Sequence, residues 1–184
     1  MPTKNDKLKL ERAEGAAKAV KLLVLDLDGV LTDGGLYYRP DGDTIKRFHV
    51  HDGFGIKLAM DTGLEVAVIT GLKSVSARAR MDKLGVRHYV EGREDKMGPL
   101  DEIRRACGLK WAELAYIGDD WVDLAPMAAV GFPAAVINAQ PEVLAAALYV
   151  TQLAGGRGAV REVIRFILTA QGRLDEALAR WKKA

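Results

Sequence analysis

Polar residues that can bind a cation or a phosphate group stand directly after three short apolar runs of this sequence. The three sets, in chain order, are Asp26-Leu27-Asp28-Gly29, Thr70-Gly71 and Gly118-Asp119-Asp120, with Asp123 three residues beyond the last of them. Parallel sheets bind ligands at the carboxyl ends of their strands, so these groups should meet at one edge of a sheet. Four or five carboxylates at one edge repel one another and need a cation to compensate them.

The kind of cation follows from the available ligands. Every candidate ligand in these segments is an oxygen atom. Mg²⁺ prefers oxygen ligands, whereas zinc is usually held by cysteine or histidine. The sequence therefore predicts a magnesium site at the carboxyl ends of the strands.

Five apolar runs have the length and composition of buried strands. They lie at residues 21–27, 64–69, 86–90, 114–117 and 134–137. Helical patterns separate or follow them, at residues 53–61, 74–84, 97–106, 124–129 and 158–168. Strands that alternate with helices of this length indicate βαβ units. The predicted fold class is α/β, a Rossmann-like parallel sheet with helices on both faces.

One segment interrupts this alternation. Residues 35–38 and 44–50 have the pattern of two strands, and the turn-forming residues 39–43 (Arg-Pro-Asp-Gly-Asp) join them. We therefore predict a β-hairpin that projects from the first connection of the sheet.

Three polar residues surround the end of this hairpin. His49 and His51 alternate on its second strand, so at most one of them faces a given side. Asp52 is placed to cap the helix predicted at residues 53–61.

Length and charge limit the classes of protein to consider. The chain has 184 residues, the size of one domain, and 27 basic against 25 acidic residues give no basic field for nucleic acid. The single cysteine, Cys107, excludes an intrachain disulfide, and no apolar run reaches the length of a membrane span. We expect a cytoplasmic protein with an N-terminal extension at residues 1–20, which could be disordered, and one domain at residues 21–184.

The polar sets together resemble a known superfamily. The segment from Asp26 to Asp33 (DLDGVLTD) resembles the first signature of the haloacid dehalogenase phosphatases, and Thr70, Lys96 and the segment from Gly118 to Asp123 (GDDWVD) resemble the other three, in the same order. Residues 49–55 and 154–163 also resemble the subfamily of 3-deoxy-D-manno-octulosonate 8-phosphate phosphatases. The resemblance extends over roughly residues 20–175.

This resemblance implies a catalytic role for each acid of the first set. Asp26 would be the nucleophile and would become an aspartyl phosphate. Asp28 would protonate the leaving oxygen and then deprotonate the attacking water, so its site should favour the neutral form. The implied metal ligands are the carboxylates of Asp26 and Asp119 and the backbone carbonyl of Asp28.

Residues of the other signatures would hold the phosphoryl group. The resemblance implies that Thr70, Lys96 and the backbone N–H of Gly71 bind phosphoryl oxygens. Asp123 and Asp120 would orient Lys96 or metal-bound water, although Asp120 could equally be a helix cap.

The resemblance also implies a substrate pocket for a phosphorylated sugar acid. Its members would be His49, Val50, His51, Asp52, Gly53, Lys57, Gly71, Arg80, Lys96 and Arg157. The family pattern usually has Arg at the positions of His51 and Leu72, and often at that of Lys57. A cation that could bind the sugar carboxylate is therefore missing at Leu72.

The spacing of the signatures leaves no room for a cap domain. The hairpin and one helix fill the chain between Asp26 and Thr70, and one helix and one strand fill it between Thr70 and Lys96. An open site leaves the reacting phosphate exposed to water, so another subunit should cover it. The resemblance implies a homotetramer with hairpins at its centre, including Tyr37, Tyr38 and Phe48, and a C-terminal segment that reaches a neighbouring site.

Three other functions are compatible with parts of this pattern. The substrate could be a nine-carbon sialate-type 9-phosphate. The chain could be a non-catalytic oligomerisation or regulatory module, but the intact acids and Lys96 argue against it. A phosphoacceptor signalling domain also uses Asp, Mg²⁺, Thr and Lys, yet needs no acid at Asp28.

Overall fold

The computed structural model describes residues 4–182 and has a six-stranded sheet in which all neighbouring strands are parallel. The strands are β1 Leu22–Leu25, β4 Glu65–Thr70, β5 His88–Glu91, β6 Leu114–Gly118, β7 Phe132–Ala135 and β8 Tyr149–Val150. Their order in the sheet is β5-β4-β1-β6-β7-β8. With helices on both faces, the predicted α/β class is confirmed.

β1 lies at the centre because all four of its side chains are apolar and can be buried on both faces. Leu22, Leu23, Val24 and Leu25 are completely buried, as expected for an inner strand of a parallel sheet. The chain continues from β1 to β4 and β5 on one side, and later to β6, β7 and β8 on the other. The strand order thus reverses beside β1, which is where open sheets bind ligands.

The helices agree with most of the predicted positions. They are α1 Lys4–Ala19, α2 Val50–Asp61, α3 Val75–Leu84, α4 Met97–Ala106, α5 Leu124–Ala129, α6 Pro141–Ala146, α7 Ala159–Ala170 and α8 Leu174–Lys182. Sequence analysis did not predict α1, α6, α8 or the two-residue strand β8. None of the helices within residues 4–182 is long and apolar enough to cross a membrane.

The N-terminal extension differs from its prediction. Residues 4–19 form α1 rather than a disordered segment, while residues 1–3 lie outside the described residues. The reason is a narrow apolar stripe, because Ala13, Ala17 and Val20 are buried in the core. Gln171 adds to this packing, since its amide donates to the backbone oxygens of Ala17 and Val20. The extension is therefore part of the folded unit.

The hairpin is present, but it is shorter than predicted. Its strands are β2 Tyr37–Tyr38 and β3 Thr44–Ile45, which pair antiparallel. The second predicted strand, residues 44–50, was too long because α2 begins at Val50. His49 and His51 therefore do not alternate on a strand: His49 precedes α2, His51 lies in its first turn, and their rings meet edge to face.

The connections around the sheet leave the site without a cap domain. Within the described residues, only the hairpin and α2 lie between β1 and β4, and only α3 lies between β4 and β5. The C-terminal helix α8 folds back on its own chain, where Ala177 is buried and Trp181 meets Phe54. Within the described residues, the segments between β1, β4 and β5 therefore contain no inserted cap domain.

Candidate active site

A buried ion-pair chain links three of the predicted side chains at the carboxyl end of β1. Lys96 Nζ lies 2.6 Å from Asp26 Oδ1 and 2.7 Å from Asp123 Oδ1. All three residues are almost completely buried. Lys96 precedes α4, whereas Asp26 and Asp123 follow β1 and β6. Parallel strands thus bring together residues that are far apart in the sequence.

Asp123 is fully occupied by hydrogen bonds. Its Oδ1 accepts from Lys96 and from the Tyr116 hydroxyl at 2.7 Å, and its Oδ2 accepts from the backbone N–H groups of Asp119 and Asp120. A carboxylate with four donors has little capacity left for a metal ion. Asp123 therefore positions Lys96 and the loop after β6. Tyr116, which sequence analysis missed, positions Asp123 in turn.

Asp120 has a different surrounding from Asp123. It is exposed, and its side chain accepts from the backbone N–H of Trp121 at the start of a 3-10 helix, Trp121–Asp123. Of the two readings that the sequence left open, the geometry favours the cap.

Asp119 supplies the free oxygen that a cation needs. Its Oδ1 is buried and has no hydrogen-bond partner among the described residues. Oxygen atoms of Asp26, Asp119 and Asp123 lie within 4.8 Å of one another. An unpaired buried carboxylate oxygen is costly unless a cation compensates it. The arrangement fits Mg²⁺, because all candidate ligands are hard oxygen atoms.

Gly29 is required for this approach. Its φ is +90°, a conformation that side chains rarely adopt, and a Cβ there would lie only 2.0 Å from Asp119 Oδ2. The glycine after Asp28 thus lets the loops after β1 and β6 meet.

Burial and mutual repulsion shift the titration of this cluster. Burial, with repulsion from Asp123, raises the pKa of Asp26 to about 6 despite the attraction of Lys96. Burial and repulsion from Asp26 raise the pKa of Asp119 to about 8. Burial works to lower the pKa of Lys96, but Asp26 and Asp123 raise it above its ordinary value. Below these pKa values, Asp26 and Asp119 hold protons that a binding cation would have to displace.

Asp28 has a partner that sequence analysis missed. Lys46 Nζ lies 2.7 Å from Asp28 Oδ1 and 2.5 Å from Oδ2, and the side chain of Lys46 is fully buried. These two contacts fix the position of the Asp28 carboxyl group, and its role in proton transfer stays a prediction. Lys46 stands between Ile45 and Arg47 in the hairpin and belongs to none of the recognised motifs, so only the fold identifies it.

The loop after β4 contains the residues that were predicted to bind phosphate. Thr70 is buried at the end of β4, and the space around the Cα of Gly71 is open. Leu72 follows with its side chain exposed. The loop therefore presents a hydroxyl, an accessible backbone and an apolar side chain in succession.

The predicted pocket segment, residues 49–53, lies at the N-terminus of α2. The prediction that Asp52 caps this helix is wrong, because the helix already begins at Val50. Its buried carboxylate instead accepts from the backbone N–H groups of Gly158 and Arg161, and so caps α7. His49 Nδ1 is buried and has no hydrogen-bond partner within the described part of the chain.

Arg80 lies against this segment. Its guanidinium is 6.0 Å from the ring of Phe48, and a Cβ on Gly53 would be 2.0 Å from Arg80 Nη2. Gly53 therefore makes room for the arginine beside residues 49–53. The structure brings Arg80 and this segment together, as the substrate-pocket prediction requires.

Other predicted pocket residues lie at the surface. Val50, His51 and Lys57 have exposed side chains on α2. Arg157 is exposed, and its nearest acidic partner is Asp33, at 3.9 Å. Within residues 4–182, no hydrogen bond or ion pair joins these four to the acid cluster, so their substrate-binding role stays a prediction.

The chain matches no family model. It is similar, however, to 3-deoxy-D-manno-octulosonate 8-phosphate phosphatase KdsC of Escherichia coli strain K12, with 43% identity over 161 residues. The match spans 88% of this chain and 86% of that protein. The chain belongs to this phosphatase family. The order of its acidic signatures agrees with that assignment.

Solved structures of the family have the same fold. The phosphatase of this name from Yersinia pestis has a TM-score of 0.88 and 39% identity, over 90% of this chain and 89% of that one. The Moraxella catarrhalis phosphatase, in complex with a magnesium ion, a phosphate ion and 3-deoxy-D-manno-octulosonate, has a TM-score of 0.90 and 36% identity. That match covers 93% of this chain and 98% of the other.

Proposed function

We propose that this protein hydrolyses 3-deoxy-D-manno-octulosonate 8-phosphate to the free sugar acid and phosphate, with Mg²⁺ as cofactor. The membership of the phosphatase family supports the substrate class. The buried carboxylate cluster supports the chemistry. The single observation that carries the proposal is Asp119, whose buried Oδ1 has no hydrogen-bond partner among the described residues and whose carboxylate lies within 4.8 Å of an oxygen atom of Asp26.

The first step transfers the phosphoryl group to the protein. Asp26 attacks phosphorus, the bond from phosphorus to the sugar oxygen breaks, and Asp28 gives that oxygen a proton. Lys96, already 2.6 Å from Asp26, balances negative charge on the nucleophile and on the phosphoryl oxygens. Thr70 and the N–H of Gly71 bind the remaining oxygens.

The second step releases phosphate. Asp28, now a carboxylate, takes a proton from water while the water oxygen attacks phosphorus. The bond from phosphorus to the Asp26 oxygen breaks, and the free carboxylate returns. Dividing the reaction into two displacements lowers the barrier of each.

The carboxylates of Asp26 and Asp119, with the backbone carbonyl of Asp28, are the residues that would hold Mg²⁺. When bound, the ion neutralises charge between the nucleophile and the phosphoryl oxygens. Asp123 is excluded as a ligand by its four hydrogen bonds.

Arg80 is the proposed partner of the sugar carboxylate. An arginine at the position of Leu72 would usually supply this contact, and an exposed leucine cannot. A charged hydrogen bond contributes about 1.5–3 kcal/mol, or roughly 10- to 150-fold in binding. Arg80→Ala should therefore raise KM for the octulosonate phosphate by about that factor and leave a small phosphate ester without a carboxylate nearly unaffected. An equal loss for both substrates would assign Arg80 to phosphate binding or to structure instead.

A panel of sugar phosphates tests the proposed substrate. Phosphate release should be fastest for 3-deoxy-D-manno-octulosonate 8-phosphate, should need Mg²⁺ and should stop with a chelator. The exposed Leu72 is the observation that keeps a sialate-type 9-phosphate as the second candidate. A higher kcat/KM for that nine-carbon substrate would reverse the assignment, and no release from any member would support a non-catalytic module.

We also propose a cytoplasmic homotetramer in which a neighbouring subunit covers the open site. Tyr37, Tyr38 and Ile45 support this assembly, because their apolar side chains are exposed together on the hairpin. Phe48 is half-buried beside Arg80 and is less available for an interface than predicted. In the structure, α8 packs on its own subunit. That the C-terminal segment extends into a neighbouring site stays a proposal.

A further inference from the structure

The hairpin places a buried cation against the acid that the proposed mechanism uses for proton transfer. The Lys46 side chain has no exposed surface, and its ammonium donates to both oxygens of Asp28. Burying an ammonium is costly unless a carboxylate pairs with it, so each group holds the other in place. This pair is separate from the two ion pairs that Lys96 forms with Asp26 and Asp123.

The backbone on both sides of Lys46 is fixed. Two residues before it, the carbonyl of Thr44 accepts from the hydroxyls of Ser74 and Ser76 at the start of α3. Two residues after it, Phe48 forms a β-bridge with Thr32, in the loop that follows Asp28. Lys46 is therefore held between α3 and the loop after β1, and its direction does not depend on the exposed turn of the hairpin.

We propose that Lys46 is a positioning residue that fixes the carboxyl group of Asp28 for its two proton transfers. This inference rests on the proposed phosphatase function. Among the described residues, carboxylate oxygens of Asp26 and Asp119 lie close enough to share a cation, whereas the side chain of Asp28 does not belong to that group. Lys46 accounts for this separation, because it binds both oxygens of Asp28 and keeps them from the cation. Asp28 thereby remains available to the leaving group and to the attacking water.

The hairpin then has a role within its own subunit. A general acid contributes roughly 10²–10⁴-fold only when it lies within hydrogen-bond reach of the reacting oxygen. Loss of the ammonium should let Asp28 turn away, with part of that factor lost. The loss of rate should be larger for a leaving group that needs a proton than for one that does not. An effect on folding alone would not distinguish between leaving groups.

Single-turnover measurements on Lys46→Met test this role, since methionine keeps the length of the side chain and removes the ammonium. With 3-deoxy-D-manno-octulosonate 8-phosphate, whose sugar oxygen needs a proton to leave, formation of the phosphoenzyme should slow by roughly 10- to 100-fold. With p-nitrophenyl phosphate, whose leaving group needs no proton, that step should change by less than about threefold. Breakdown of the phosphoenzyme should slow equally for both, because the intermediate is the same.

Arg39→Met is the matched control. Arg39 is a hairpin cation in an exposed ion pair with Asp41, and its loss should leave both steps unchanged. Combining Lys46→Met with Asp28→Asn should add little to the loss from Asp28→Asn alone, because the two residues act as one unit. Should Lys46→Met fail to fold, as judged by its thermal transition, Lys46→Gln keeps a polar group of similar length and is put through the same comparison.

Two results would overturn the inference. One is an equal slowing of phosphoenzyme formation with both substrates, and the other is weaker substrate binding with unchanged steps. Either would mean that Lys46 binds the phosphate or the sugar. A wild-type protein that releases no phosphate from the octulosonate phosphate would contradict the proposed function itself, which separates the two failures.

Discussion

Neighbouring carboxylates of this site have different tasks because their hydrogen-bond partners differ. Asp123 accepts four hydrogen bonds, Asp28 is held by Lys46, and Asp119 Oδ1 has no donor among the described residues. An acid without a donor is the one that a cation stabilises most, and a saturated acid is the one that orients others. These partners support the proposed roles of Asp119 as a metal ligand and of Asp123 as a positioning acid.

Tyr116→Phe tests the positioning of Asp123. The buried Tyr116 hydroxyl donates to a charged acceptor, so its loss should lower the free energy of unfolding by about 1.5–3 kcal/mol and also lower kcat through Lys96. Tyr149→Phe is the matched control, because the half-buried Tyr149 hydroxyl donates to Glu162 away from the acid cluster. Urea unfolding and kcat measure both effects. A Tyr116→Phe protein with unchanged stability and kcat would show that this bond positions nothing.

The raised pKa values predict how stability depends on pH and Mg²⁺. Asp26 has a pKa of about 6 and Asp119 of about 8, both above the ordinary value of 3.8. The folded protein therefore binds protons more tightly than the unfolded chain, and the free energy of unfolding without metal should fall as pH rises from about 4 to about 8. Mg²⁺ must displace those protons, so it should raise Tm more at pH 8 than at pH 5.5.

Asp119→Asn supplies the control for this prediction. It should abolish the Mg²⁺-dependent rise in Tm, and without metal it should be more stable than wild type at pH 8. Thermal unfolding with Mg²⁺ or with a chelator, at both pH values, measures the effect. An equal Mg²⁺ shift at the two pH values would contradict the assignment of these protonated acids as the metal site.

Individual residues of the site could be predicted where the chain places them directly after a strand. Asp26, Thr70 and Asp119 are of this kind. Lys46 and Tyr116 could not be predicted, because one lies in a hairpin and the other within an apolar strand. Their partners become visible only when the sheet and the hairpin are folded.

At the scale of elements, Asp52 connects α2 with α7. Its carboxylate caps α7 from the first turn of α2, and the two helices pack on each other. Asp52→Ala should therefore lower the free energy of unfolding by about 2 kcal/mol, the upper end for a helix cap. Asp120→Ala, which removes an exposed cap of a short 3-10 helix, should cost less than about 1 kcal/mol. Denaturant unfolding measures both changes. An equal loss of unfolding free energy in the two variants would contradict a stabilising link between α2 and α7.

Elements with a long, regular pattern could be predicted, and short or highly charged ones could not. The central strands and the helices α2, α3, α4 and α7 could be predicted because apolar residues recur along them at the expected spacing. α1 was missed because its charged residues obscure a stripe as narrow as Ala13 and Ala17. β8 has only two residues, and its place at the edge of the sheet depends on pairing with β7.

At the scale of the whole molecule, the proposed tetramer can be tested at the exposed hairpin. Tyr37 and Tyr38 are 61% and 72% exposed. Replacing both with Asp should convert the proposed tetramer into smaller species and lower turnover, because the proposed cover of the site is lost. Leu8→Asp, at an exposed position of α1, is the control and should change neither property. Light scattering and phosphate release measure the effects, and a fully active monomer would contradict the shared-site proposal.

The most direct test of the account is phosphate release by Asp26→Asn. The variant keeps the volume of a buried side chain at the centre of the sheet and removes the nucleophilic oxygen. With 3-deoxy-D-manno-octulosonate 8-phosphate and Mg²⁺, we expect the folded variant to lose on the order of 10⁴-fold or more in kcat, while wild type releases phosphate only with the metal. A folded Asp26→Asn protein with substantial turnover, free of deamidation and contaminating phosphatase, would contradict covalent catalysis at Asp26.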